Sequence, residues 1–339
     1  MVPAMTSQGE DKGSESVSVE TGAGVHPLPA TPVDSSDARP KRSDLQKRIW
    51  TAAVLVPLVT YIIAAGGYLY LLTVLAFGLL AQREFYGLIE DKGARPLVGL
   101  GLGFGAAVIG VAYLLGRDYF AMLLMTGSLL AMMVAQLGKQ QITEALGSIS
   151  GTFFGVFYVA WLLSHIVLLR FFHGSAMAHY DVVQLAELEI NSGTGIFLVF
   201  YCLGVVVLCD AGAYFAGRAW GRRKLAPEIS PNKTIEGALG GIVAGTVGGA
   251  LFKLVFDLLW PMDSVAFVWS LVIPFGIVLS VVGIIGDLVE SLLKRDADVK
   301  DTGALLPGMG GVLDRIDAPL LAVPVMYYMM LGYVYWRVG

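Results

Sequence analysis

The chain has 339 residues, 56% of them hydrophobic and only 15% charged, with a mean hydropathy of +0.70. About a quarter of the residues in a soluble domain are charged, so this balance excludes an ordinary soluble fold and indicates a protein that crosses the membrane several times. A formal net charge of −4, with no basic patch interleaved with aromatics, gives nucleic acid no footprint.

Residues 1–44 form a first region rich in Ser, Gly, Pro, Thr and acids, with no long apolar block. Such a segment cannot bury enough surface to offset its ordering entropy, so disorder is predicted. It also lacks the apolar core of a signal peptide. A bilayer core about 30 Å thick needs roughly 20 mostly apolar residues per helix. Nine segments meet this requirement: 50–66, 68–82, 97–115, 119–137, 147–170, 195–217, 237–258, 265–286 and 317–336. The second is short and is parted from the first by Gly66-Gly67. The fifth and eighth are expected to break into two pieces, the eighth because Pro274 lies inside it. The predicted fold is therefore all-α, a bundle of about nine transmembrane helices (eight to ten).

Lys and Arg in short loops set orientation. Lys41, Arg42, Lys47 and Arg48 precede the first segment, which predicts a cytoplasmic N-terminus. Alternation then places three more groups inside: Arg83, Lys92 and Arg95, then Lys139, then the cations between 218 and 233. The cations between 294 and 315 fall inside as well. The outer loops hold little more than Arg117 and Arg170. Gly237, Gly240, Gly241, Gly245, Gly248 and Gly249 recur at helical spacing, and such small faces let helices approach closely in lipid. Cys202 and Cys209 read as small apolar side chains within one segment. His26, His165, His173 and His179 show no metal-ligand spacing.

The stretch 286–317 reads GDLVESLLKRDADVKDTGALLPGMGGVLDRID, and 11 of its 32 residues are charged although apolar segments flank it. Read as a helix continuing out of the eighth segment, Asp287, Glu290, Ser291 and Lys294 share one face. Pairing within that face is one reading. The other uses Gly308, Gly310 and Gly311, which permit positive φ and a close backbone approach. They would fold the loop back so that Asp314 meets Asp287. Two carboxylates brought together call for a cation, and a hard divalent ion bound by one or two carboxylates plus phosphates fits that need.

The loop between the sixth and seventh segments, GRAWGRRKLAPEISPNKTIEG, carries Arg218, Arg222, Arg223, Lys224 and Lys233, which suit phosphate oxygens. Arg222 and Arg223 read equally as an orientation signal. Ser230 and Thr234 read either as phosphate ligands or as caps of the following helix. Asp210 and Tyr214, at the end of the sixth segment, either line the same site or join helices.

SLLKRDADVKDTGALLPGMGGVLDRID resembles the signature of the phosphatidate cytidylyltransferases, the CDP-diacylglycerol synthases. Ser291, Lys294, Arg295, Lys300, Asp301, Gly303, Pro307, Gly310, Gly311, Asp314, Arg315 and Asp317 match that pattern in place. DAGAYFAGRAWGRRKLAPEISPNKTIEG is similar to further family segments. The resemblance covers residues 45–339 and implies a transmembrane cytidylyltransferase domain there. Met309 departs from the pattern, standing where the family has His. Ala211 replaces a Thr and Asn232 a Lys.

The resemblance implies the reaction CTP + phosphatidate → CDP-diacylglycerol + pyrophosphate. It implies Mg²⁺, with K⁺ as a second ion, and a homodimer in the inner (cytoplasmic) membrane with its site on the cytoplasmic face. Asp287 and Asp314 are the expected metal carboxylates, with Asp317 and Asp301 as alternates. Lys294, Arg295, Asp314 and Arg315 are the expected catalytic residues, Arg315 serving otherwise as a structural partner of Asp314. Asp210, Ser230, Lys233, Thr234, Ser291, Lys300, Gly310 and Gly311 are expected to bind substrate, while the acyl tails stay among the helices. Three rival readings are weaker. The Asp-Gly-x-x-Ala-Arg pattern of the CDP-alcohol phosphatidyltransferases is absent. No internal repeat marks a transporter. An inactive relative rests on Met309 alone.

Overall fold

Among the described residues, nine apolar helices form the body of the chain, at the nine places the apolar segments predict. The computed structural model describes residues 55–116, 118–138, 144–303 and 310–338. The tail expected over 1–44 lies outside the described residues, as do Pro307, Gly308 and Met309. The helices are α1 (Leu55–Ala65), α2 (Gly67–Asp91), α3 (Val98–Leu115), α4 (Asp118–Leu137) and α5 (Ala145–Arg170). Two short helices follow, α6 (Phe172–Ala176) and α7 (Val182–Glu187), and then α8 (Thr194–Trp220). Strands β1 (Lys224–Ala226) and β2 (Ser230–Thr234) lead to α9 (Ile235–Leu259), a single turn α10 (Pro261–Ser264), α11 (Trp269–Asp296) and α12 (Leu313–Val338). Seven of these (α2, α3, α5, α8, α9, α11 and α12) are long and apolar enough to cross a membrane.

The burial pattern is that of a membrane bundle. On α9, Leu239, Val243, Val247, Leu251, Leu254 and Leu258 form an exposed apolar stripe. The opposite face, Gly237, Gly241, Gly245, Gly248 and Gly249, is buried. A Cβ at Gly237, Gly241 or Gly245 would fall 2.9, 2.8 or 2.9 Å from the carbonyl oxygens of Ala213, Cys209 and Val205. The glycines thus let α9 lie backbone to backbone against α8, as small-residue faces do in lipid. In water a stripe of this kind would be a liability, whereas in lipid it is the solvated surface.

The two ends of the bundle are chemically distinct. At one end Lys92 pairs with Asp296 (3.3 Å) and Lys233 with Asp287. At the other, buried Arg170 donates to the carbonyls of Ile63 and Ala64, and Asn191 donates to that of Met262. The loops that the charge pattern assigns to one side therefore meet one another.

Several boundaries differ from expectation. The second helix is not short: it runs on through Arg83, Glu84 and Glu90 to Asp91, because charged, unbranched residues propagate a helix as well as apolar ones do. The fifth stays continuous and absorbs its irregularity as a π-helical turn at Val156–Trp161. The eighth starts at Trp269 and passes through Pro274 unbroken. SPNKT, part of the predicted loop between the sixth and seventh segments, is strand β2, paired antiparallel with β1 in the register Lys224↔Thr234 and Ala226↔Ser230.

Candidate active site

The charged end of the bundle is built from three pieces of chain. The first is α11, which continues as predicted past its apolar part to Asp296 and presents Asp287, Glu290, Ser291 and Lys294 along one face. The second is α12, which begins four residues earlier than the apolar run indicates, so that Asp314 and Asp317 lie on its first turns. The third is the β1–β2 hairpin with the start of α9. Thr234 is the N-cap of α9, its Oγ1 accepting from Gly237 N at 3.1 Å. Glu236 Oε2 accepts from the backbone amides of Arg222 and Arg223 at 2.9 and 3.1 Å, closing the hairpin onto the helix. Of the two readings left open for Thr234, capping is the one the structure displays.

Asp287, Glu290 and Asp317 converge, with one carboxylate oxygen from each lying within 4.8 Å of the others. Gly286 makes this possible. A Cβ there would sit 2.8 Å from the carbonyl oxygen of Asp317, so only glycine lets α12 rest on α11 at this level. Glu290 has no exposed surface. Its one ion pair among the described residues is with Lys294 at 2.5 Å. Each pair of like charges at 4.8 Å repels by about 3.5 kcal/mol at an effective dielectric constant near 20. Three acids held this way, one of them fully buried, fit a hard cation that takes oxygen ligands.

Two ammonium groups border the carboxylates. Lys233 Nζ, delivered by β2, lies 2.5 Å from Asp287 Oδ2. Lys294 Nζ bridges Glu290 Oε2 and Asp314 Oδ1, the latter at 2.9 Å. Ser291 Oγ donates to Asp287 Oδ1 at 3.4 Å. Asp210, near the end of α8, lies within electrostatic reach of both Asp287 and Lys233.

Asp287 and Asp314 are the metal carboxylates expected from the sequence. Both reach the same end of the bundle, but Asp314 is not one of the three converging acids. Its Oδ2 accepts from the amides of Gly311 (2.8 Å) and Thr302 (3.2 Å), and its Oδ1 takes the Lys294 ammonium. Asp314 thus holds Thr302, Gly311 and Lys294, while Glu290 and Asp317 stand with Asp287. Asp301 is exposed and also lies outside that group. Arg295 turns toward the hairpin, with Nε donating to Ile229 O at 3.3 Å. Lys300 and Arg315 are exposed, and Ser230 is half-buried at the start of β2. Gly310 has φ +82° and a backbone only glycine adopts freely, as the loop reading requires. Gly311 does not share it: Gly311 is small because Thr302 Oγ1 and Glu84 Oε2 fill the space a Cβ would take.

Glu84 is the residue that sequence reasoning missed. It projects from α2, far from the motif, and accepts from Val312 N at 3.0 Å, Leu313 N at 2.8 Å and Thr302 Oγ1 at 3.4 Å. The one available signal was an acid in the helix beyond the apolar part of the second segment.

A profile described as the cytidylyltransferase family matches residues 46–333. Relatives named phosphatidate cytidylyltransferase share this likeness over different extents. The one from Synechocystis is 29% identical over 294 residues, 84% of this chain and 96% of that relative. The one from Brucella suis is 34% identical over 290 residues, 84% of this chain and 93% of the relative. With the one from Bacillus subtilis the match is 48% identical over 136 residues, 40% of this chain and 48% of the relative.

Proposed function

The chain belongs to the cytidylyltransferase family, and we propose that it transfers the cytidylyl group of CTP to phosphatidate, giving CDP-diacylglycerol and pyrophosphate. The relatives' shared name supports phosphatidate as the acceptor. The observation that carries the reading is the convergence of Asp287, Glu290 and Asp317 beside Lys233 and Lys294. Converging acids suit a divalent cation, and ammonium groups beside them suit phosphate oxygens.

A phosphate oxygen of phosphatidate attacks the α-phosphorus of CTP, the bond from that phosphorus to the β-phosphate oxygen breaks, and pyrophosphate leaves. The attacking oxygen is already anionic, so the protein's task is positioning and charge neutralisation rather than proton removal. Asp287, Glu290 and Asp317 would hold a divalent cation, Mg²⁺, which when bound neutralises charge on the phosphate oxygens. Lys233 and Lys294 would contact phosphates, each kept in place by the acids beside it. Asp314 would orient Lys294 and hold Thr302 and Gly311 beside it. Ser291 would keep Asp287 in register. Arg295, Lys300 and Arg315, exposed at the same end, would gather the triphosphate from solution. On this reading the N-terminus and the site face the cytoplasm, where CTP is found, and the acyl chains remain between helices. K⁺ as a second ion and a homodimer belong to the same proposal.

The test is incubation of the purified protein with α-labelled CTP and phosphatidate in mixed micelles. Label should move into the lipid phase only with phosphatidate present. A lipid phase that stays unlabelled across the whole Mg²⁺ range would overturn the reading.

A further inference from the structure

Thr302 and the residues 311–313, on either side of α12's start, are held by two carboxylates, and only one of them belongs to the motif. Asp314 takes the amides of Gly311 and Thr302. Glu84 takes the amides of the next two residues, Val312 and Leu313, and the hydroxyl of the same Thr302. The fit around Glu84 is close. A Cβ at Gly303 would lie 2.6 Å from its Oε1, and one at Gly311 would lie 2.6 Å from its Oε2. Two glycines are thus shaped to one side chain that comes from the other half of the bundle.

These amides are the free donors that begin α12. An anion at a helix start also meets the favourable end of the helix dipole. Glu84 therefore sets where α12 begins and how it is rotated, and that helix carries Asp314 and Asp317. From Asp314 the network continues through Lys294 to Glu290. We propose that Glu84 is a positioning residue for cytidylyl transfer: it touches no substrate and holds the first turn of α12 so that Asp317 meets Asp287 and Glu290 while Asp314 holds Lys294. This rests on the cytidylyltransferase reading above.

The experiment uses the full chain in detergent micelles as wild type, Glu84→Gln, Thr302→Val and a Lys92→Ala control, the last breaking an exposed ion pair elsewhere at the same end. Two quantities are read: hydrogen exchange at the Val312 and Leu313 amides without substrate or metal, and kcat and KM for CTP. Glu84→Gln offers one acceptor oxygen and an NH₂ group that faces donors. It should speed exchange at both amides and lower kcat by about 10- to 100-fold, the usual cost of losing a supporting partner of a metal site. KM for CTP should stay within about twofold, because a support that is not itself a substrate contact acts on the transition state. Thr302→Val should shift both readouts in the same direction by less, and it decides the matter if Glu84→Gln does not fold. Wild-type kcat in a variant whose amides have lost protection overturns the proposal, as does unchanged protection. If the wild type itself transfers no label, the cytidylyl reading fails, and Glu84 is judged by amide exchange and by Mn²⁺ binding to the substrate-free protein.

Discussion

Lys233 Nζ lies 2.5 Å from Asp287 Oδ2 and ties the β1–β2 hairpin to the acidic cluster on α11. Both groups are half-buried, so the pair is screened less than a surface ion pair. The hairpin thereby delivers a cation to the acids while its own fold is fixed by Glu236 and the Thr234 cap. A hydrogen bond to a charged group contributes about 1.5–3 kcal/mol. Lys233→Met should therefore lower kcat/KM for CTP by roughly 10- to 100-fold. Lys233→Arg keeps the charge and should retain more activity. Equal loss in the two variants would mean that shape rather than charge matters at this position. Steady-state label transfer measures it.

Asp287→Asn, Glu290→Gln and Asp317→Asn each remove one charge from the converging group. Each should raise the Mg²⁺ concentration needed for half-maximal rate, by about tenfold or more, since ligands and their partners affect metal affinity on that scale. Asp301→Asn is exposed, lies outside the group, and should stay within about twofold of wild type, as surface changes away from special features do. Rate measured against Mg²⁺ concentration distinguishes the sets. If Asp301→Asn shifts that midpoint as far as Glu290→Gln does, the cation is held elsewhere.

Metal binding should also register without turnover. A ligand that binds only the folded state at 100 times its Kd adds about 2.7 kcal/mol to stability. Excess EDTA should lower the thermal midpoint of the wild type, and Mg²⁺ should restore it. In Glu290→Gln the two midpoints should draw together. A wild type that melts identically with and without chelator would remove the metal from the site.

The nine helices were legible because a bilayer imposes a single length scale, and residues such as Val243, Val247 and Leu251 satisfy it locally. The helical face from Asp287 to Lys294 was legible for the same reason, since i, i+3, i+4 and i+7 spacing is a local property. Which acids converge was not. Asp314 and Asp317 are both motif residues on one helix, and nothing in their spacing says which one joins Asp287 and Glu290. That choice depends on Gly286 admitting Asp317 and on Gly311 and Thr302 engaging Asp314. Glu84 was beyond reach because its partner Leu313 is 229 positions away. The SPNKT strand was missed because it has no apolar alternation and is held by its partner strand and by Glu236.

The last prediction concerns the seam that sets the hairpin's height. A Cβ at Gly241 would lie 2.8 Å from Cys209 O and 3.0 Å from the Ala213 methyl. Both belong to α8, and a backbone oxygen cannot swing aside as a flexible side chain does. Gly241→Ala must push α9 away from α8, which costs about 1–3 kcal/mol as overpacking generally does. Gly110, where nothing lies within 4 Å, should accept Ala without that cost, and replacing glycine inside a helix there should gain up to about 1 kcal/mol. Thermal unfolding in one detergent compares the two. Because Lys233 rides on the strand that enters α9, Gly241→Ala should also weaken CTP use. A variant with lowered stability but unchanged kcat/KM for CTP would show that the α8–α9 seam supports the bundle without setting the position of Lys233.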